Sequence, residues 1–255
     1  MAIRLYSPST TVASSYLYCY PGNGLLNART AQTMSVWINC PTIGTNVLSM
    51  FGFYNGTANL STIPTTAIQI GSRSGSSIDV WTWGGGILIS AVGVTFTANT
   101  WIHITYTCNT FGTNQTHLLY INGVLNNTTT NTTQINGVLT QYYINGYPEA
   151  TRRAETGDWQ LDDARCFNRQ LTAEEILTLY NVRGSSDGLV YGSIGRYDFN
   201  EGYIGSTLAG GVDGAVAAYD LSGNNNALIL SHTSISTAPT YISDYADRYD
   251  RPCHS

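Results

Sequence analysis

Short runs of apolar and β-favouring residues recur through the first 165 positions, separated by turns that carry Gly, Asn or Pro. They predict strands over residues 15–20, 34–40, 47–54, 67–70, 78–83, 87–94, 101–108, 117–121, 141–144 and 159–167. Between 159 and 167 side chains alternate between two faces, the period of a half-buried strand. So many short strands without interleaved helices imply a sandwich or barrel, not a parallel α/β sheet. Ile-Asn-Gly occurs at 121–123, 135–137 and 144–146. Asn-Gly supplies the positive φ angles of a type I′ turn, so each copy marks a reversal of an antiparallel ladder. Only one segment changes period. Thr172 and Glu175 form a T-x-x-E capping box, and Ile176, Leu179 and Tyr180 make an apolar helical stripe. A single short helix is expected over 172–181, with Gly184 as a left-handed stop. Trp37, Ile38, Ile102, Ile104, Leu161 and Leu179 are expected in the core or at its margin.

The stretch after Trp159, an Asp-Asp-x-Arg strand and then Asn-Arg-x-Leu-Thr-x-Glu-Glu-Ile, resembles the closing signature of laminin-G-like, concanavalin A-like jelly rolls. Trp101-Ile102-His103-Ile104, Leu119-Tyr120-Ile121-Asn122-Gly123-Val124-Leu125 and Ser35-Val36-Trp37-Ile38 resemble the family's central and early strands. Together they cover roughly residues 30–183. The resemblance implies an all-β jelly-roll sandwich over 1–184. Residues 197–202 and 220–226 resemble a strand that usually opens such modules. The segment 185–255 is therefore expected partly to complete the sandwich and partly to act as an interaction arm. Tyr241, Tyr245 and Tyr249, at i, i+4 and i+8, suggest a helical turn or an arm laying aromatics on a neighbour.

Composition narrows the partners. Charged residues are 11% of the 255, and all 11 basic residues are arginine. Residues 1–148 hold three arginines and one carboxylate, Asp79, for a net +2; residues 149–255 hold eight arginines and fifteen carboxylates, for a net −7. No basic run exists to follow a phosphate backbone, which excludes ordinary nucleic-acid binding. No segment approaches the roughly 20 apolar residues of a membrane helix, and the N-terminus lacks a signal-peptide core. Five cysteines without a C-x-x-C pair argue against zinc and against a full disulfide set; buried free thiols are expected for Cys40, Cys108 and Cys166. The patch 126–133, NNTTTNTT, reads as an exposed loop or an edge strand.

Catalytic signatures are missing from the sequence. The related β-glucanases carry Glu-x-Asp-x-x-Glu on one strand, to flank the sugar bond with two carboxyls. The central strands here hold only Asp79, and the pairs Asp162-Asp163 and Glu174-Glu175 diverge by local geometry. A non-enzyme is expected. Calcium is the one cofactor kept open. Asp220, Ser222, Asn224 and Asn226 place oxygens at alternate positions but equally make Asx turns. Alternation puts Asp162 on the face of Ala164 and Cys166, where it would need an arginine, backbone N–H groups or a metal. Trp81 and Trp83 share a face beside Gly84-Gly85-Gly86, as a sugar-stacking platform, a core pair or an oligomer contact.

The main expectation is a virion structural protein, such as a phage capsid decoration (cement) protein or fibre component, that binds neighbouring subunits as a homo-oligomer. Its interface would centre on residues 231–255. The alternative is a glycan-binding, lectin-like module, and the last a glycoside hydrolase. Location in a virion, after synthesis without a signal peptide, follows from the first.

Overall fold

The computed structural model describes residues 2–6, 16–19, 31–41, 43, 48–54, 67–73, 75–82, 86–111, 114–131, 141–144, 158–183, 188–207, 214–231 and 240–242. Its strands are β1 (Ala2–Tyr6), β2 (Tyr16–Cys19), β3 (Gln32–Asn39), β4 (Leu48–Tyr54), β5 (Ala67–Ser72), β6 (Asp79–Thr82), β7 (Gly86–Ser90) and β8 (Trp101–Phe111). There follow β9 (Asn114–Ile121), β10 (Val124–Asn131), β11 (Gln141–Ile144) and β12 (Asp158–Phe167), then the helix α1 (Ala173–Val182). The chain continues as β13 (Ser193–Tyr197), β14 (Val216–Ala218), β15 (Leu228–Ser231) and β16 (Thr240–Ile242).

Two antiparallel sheets result. Sheet A runs β10-β9-β8-β3-β12-β1-β16, with β13 also paired to β12; sheet B runs β14-β15-β2-β11-β4-β5-β6-β7. Period-2 alternation gives the central strands an apolar face. Val36, Ile38, Ile104 and Leu161 from sheet A pack with Phe51, Phe53, Ile68, Ile70 and Val80 from sheet B in one core. This is the expected all-β sandwich, and the six core residues named from the sequence are all buried. Cys19, Cys40, Cys108 and Cys166 are buried free thiols.

The turn at Asn122-Gly123 has φ of 52° and 78° and joins β9 to β10, as the type I′ reading requires. The copies at 135–137 and 145–146 lie outside the described residues. The NNTTTNTT patch is an edge strand in its described part. Asn127 Nδ2 donates to the Ser90 carbonyl at 2.7 Å and Thr129 Oγ1 to that of Leu88 at 2.8 Å. Short polar side chains on β10 thus hydrogen-bond the backbone edge of β7 and tie one edge of sheet A to one edge of sheet B.

The helix begins one residue later than expected. Thr172 caps it, accepting from the Glu175 N–H while the Glu175 carboxylate accepts from the Thr172 N–H. Gly184 lies outside the described residues. Ile176 and Leu179 bury against Phe167, Leu171 and Tyr120 on the outer face of sheet A.

The C-terminal part is divided between the sheets. β13 and β16 belong to sheet A, β14 and β15 to sheet B. Tyr241, expected in a helical turn or an arm, is the central residue of β16, opposite Ile3 of β1, and is 4% exposed. Helical spacing of tyrosines loses here to strand pairing with β1. Truncation after residue 230 would remove a strand of the sandwich, so it is not a neutral removal of an arm.

Candidate functional site

The two outer faces of the sandwich differ from its third surface feature, a cleft at the C-terminal strands. Beneath α1, the outer face of sheet A is polar, aromatic and sealed. Asp163 has φ 47° and sits in a bulge where β12 gains one residue over β3. The extra residue reverses the parity of everything before it. Asp162 therefore faces the helix side with Arg165 and Phe167, not the core side with Ala164 and Cys166; this corrects the simple alternation. Its Oδ2 accepts from Arg183 Nε at 3.1 Å, and its Oδ1 from the Asp163 N–H. Arg183 lies against the rings of Trp37 and Trp101, at 4.6 and 4.1 Å from their centroids. Asp163 in turn holds Arg165 through two bonds of 2.7 and 3.0 Å. These carboxylates are ion-paired in the interior, which is structural chemistry rather than a metal or catalytic centre.

The outer face of sheet B carries a row in register, Tyr143–Gly52–Gln69–Trp81. Trp81 is 3% exposed and its row neighbours Gln69 and Tyr143 are fully buried. Trp81 is therefore a packed residue and no open stacking platform; Trp83 lies outside the described residues. On the same face, Asp79 accepts from Ser77 Oγ, Ser90 Oγ and the Arg73 N–H at 2.5, 2.5 and 3.0 Å.

The Asp220–Asn226 run is a turn. Asp220 Oδ1 accepts from the N–H groups of Arg196 and Ser222, and Oδ2 from Ser222 Oγ and the Asn226 N–H. Asn224 and Asn226 donate their amides to the carbonyls of Ser193 and Ile194. Four donors occupy the carboxylate and the amides point elsewhere, so these residues do not converge on one cation. Among the described residues no group of three or more His, Cys, Asp or Glu could hold a metal ion.

The open cleft, about 640 Å³, lies between the turn 203–206 and the segment after β14. The Ser206 N–H donates to the Tyr203 carbonyl at 2.9 Å, closing that turn. The turn is docked on β16, since the Gly205 N–H donates to the Tyr241 carbonyl and the Tyr241 N–H to the Ser206 carbonyl. The Tyr241 ring forms the floor. It lies so close to Gly202 that a Cβ there would stand 2.1 Å from Cε2, so only glycine fits. Its hydroxyl reaches the Ala217 carbonyl of β14 at 3.5 Å. Tyr203 and Tyr219 both line the cleft and are 75% and 63% exposed.

Glu201 joins the walls: its Oε1 accepts the Tyr219 N–H at 2.9 Å. Glu201 is exposed, yet the cleft desolvates its carboxyl enough to raise its pKa above the ordinary glutamate value; the Tyr219 N–H and the positive amino terminus oppose the rise and Asp198 adds to it. Burial and the nearby Glu201 charge push the Tyr241 phenol up to about 12. Sequence reading missed Glu201, Tyr203 and Tyr219 as a set; the density of tyrosines after residue 185 was the one signal. Tyr245 and Tyr249 lie outside the described residues.

Solved structures with this sandwich share little sequence with it. A presumed carbohydrate binding protein from Bacteroides ovatus ATCC 8483 superposes with a TM-score of 0.57 at 15% identity, over 95% of this chain and 62% of that one. The chain thus spans less than two thirds of that protein's length. A native heptameric SAP-like pentraxin from Limulus polyphemus gives 0.51 at 14% identity, over 70% of this chain and 81% of the pentraxin. At such identities the likeness speaks for the fold alone. A search of curated proteins by sequence finds no match. The family model of the concanavalin A-like lectin/glucanases superfamily matches residues 13–177, and the chain belongs to that superfamily.

Proposed function

We propose that this protein is a non-enzymatic glycan-binding module whose recognition site is the cleft between Tyr203 and Tyr219. The observation that carries the reading is a cleft lined by two exposed tyrosines and one carboxylate. Tyrosine offers a rigid apolar ring against the C–H face of a pyranose and a hydroxyl at its rim. A carboxylate accepts sugar hydroxyls through charge-assisted bonds. A volume of about 640 Å³ falls in the range of small-ligand clefts. The superfamily supports the same direction, although the cleft lies beyond the matched residues 13–177.

Hydrolysis is disfavoured by the carboxylates. A glycosidase needs two of them facing each other across the sugar bond, about 5–9.5 Å apart. Among the described residues the cleft is lined by one carboxylate, Glu201, and the outer face of sheet B carries one, Asp79, bonded by three donors. The test is a glycan array probed with the intact chain and with a Tyr203→Ala/Tyr219→Ala variant. Binding to at least one glycan class is expected, with about a tenfold loss in the variant and an unchanged unfolding midpoint. Retention of full binding by the variant, or no binding to any glycan, overturns the proposal.

A further inference from the structure

Within the glycan-binding reading, on which this inference rests, the geometry points to a ligand that carries a protonated amine: we infer that the cleft takes an amino sugar with a free ammonium group, held over Tyr203 or Tyr219 and paired with Glu201. Three observations converge. Glu201 is the cleft's carboxylate; it accepts a neutral backbone N–H, and no arginine lines the cleft among the described residues. Asp198 adds negative potential nearby, and the positive amino terminus offsets part of it. Two exposed tyrosines line the cleft, and tyrosine ring faces attract a cation by their quadrupole. An anionic sugar would meet repulsion from Glu201 with no arginine in the lining to offset it. A neutral sugar would use the rings and leave the charge unused. An ammonium group satisfies both.

The chain's overall charge of −5 could draw any polycation to its surface, so the experiment separates the site from the field. Binding of three short oligosaccharides of equal length would be measured by titration calorimetry on the full chain: glucosamine, N-acetylglucosamine and glucose oligomers. The glucosamine oligomer is expected to bind about tenfold tighter than the other two, as an added charge-assisted bond implies. Glu201→Gln should remove that preference. Glu174→Gln, which deletes an exposed carboxylate on α1 away from the cleft, should leave it in place. If Glu174→Gln lowers the preference as much as Glu201→Gln does, the attraction is general electrostatics and the inference falls. Equal affinity for all three oligomers also overturns it while the glycan-binding reading stands. Failure of all three to bind, with other glycans bound on the array, overturns the inference alone; failure on every glycan overturns both.

Discussion

Two acidic regions of this molecule use their carboxylates in opposite ways. Under α1, Asp162 and Asp163 are buried and each meets an arginine, so their charge is spent inside the fold. In the C-terminal cleft, Glu201 accepts one backbone N–H and shares the lining with two exposed tyrosines. The functional group is the same; access and partner differ. A carboxylate that is desolvated and ion-paired holds the structure, because removing its partner leaves an uncompensated charge in the interior. One that remains accessible is available to a ligand.

The sharpest break of this contrast is Asp162→Asn, which leaves Arg183 against Trp37 and Trp101 without its carboxylate. A loss of about 3–5 kcal/mol is expected in denaturant unfolding. Replacing both partners by apolar residues, Asp162→Leu with Arg183→Met, should recover a large part of it. If the single variant is neutral, the pair is not what holds the helix end to the sheet.

Gly202→Ala comes next. The new Cβ forces the Tyr241 ring off its place, for about 1–3 kcal/mol, and deforms the cleft floor. Stability and ligand affinity should fall together; a stability loss without an affinity change would separate floor from site.

Capping of α1 contributes less. Thr172→Ala should cost about 1 kcal/mol in thermal or denaturant unfolding. Glu175, which completes the cap, has its pKa lowered chiefly by the hydrogen bonds from Arg169. Because its folded value is depressed, the stabilisation is full above the ordinary glutamate range and is lost as pH falls through the folded value. The acid limb of stability should therefore be shallower in Glu175→Gln than in the parent chain; an identical limb would show that the ion pair contributes nothing.

The smallest effect on stability belongs to the cleft wall. Tyr203→Ala removes an exposed ring and should change unfolding by less than about 0.5 kcal/mol while weakening glycan binding. A large stability loss would place Tyr203 with the scaffold and erase the contrast.

Local sequence by itself determined the strands β2–β9, β11 and β12, the hairpin at Asn122-Gly123 and the capped helix. Each depends on side-chain period, turn conformation or hydrogen bonds within a few residues. The tertiary structure decided what depends on distant partners. The bulge at Asp163 reversed the face of Asp162, because a single inserted residue flips a period of two. Asn127 and Thr129, which read as surface, found the backbone edge of β7 some forty residues away in sequence. Tyr241, whose spacing suggested a helix, was drawn into a strand by its pairing with β1. The cleft arises the same way. Glu201, Tyr203 and Tyr219 carry no motif between them, and they meet because β14 and β16 join different sheets and the Tyr241 ring bridges the gap against Gly202.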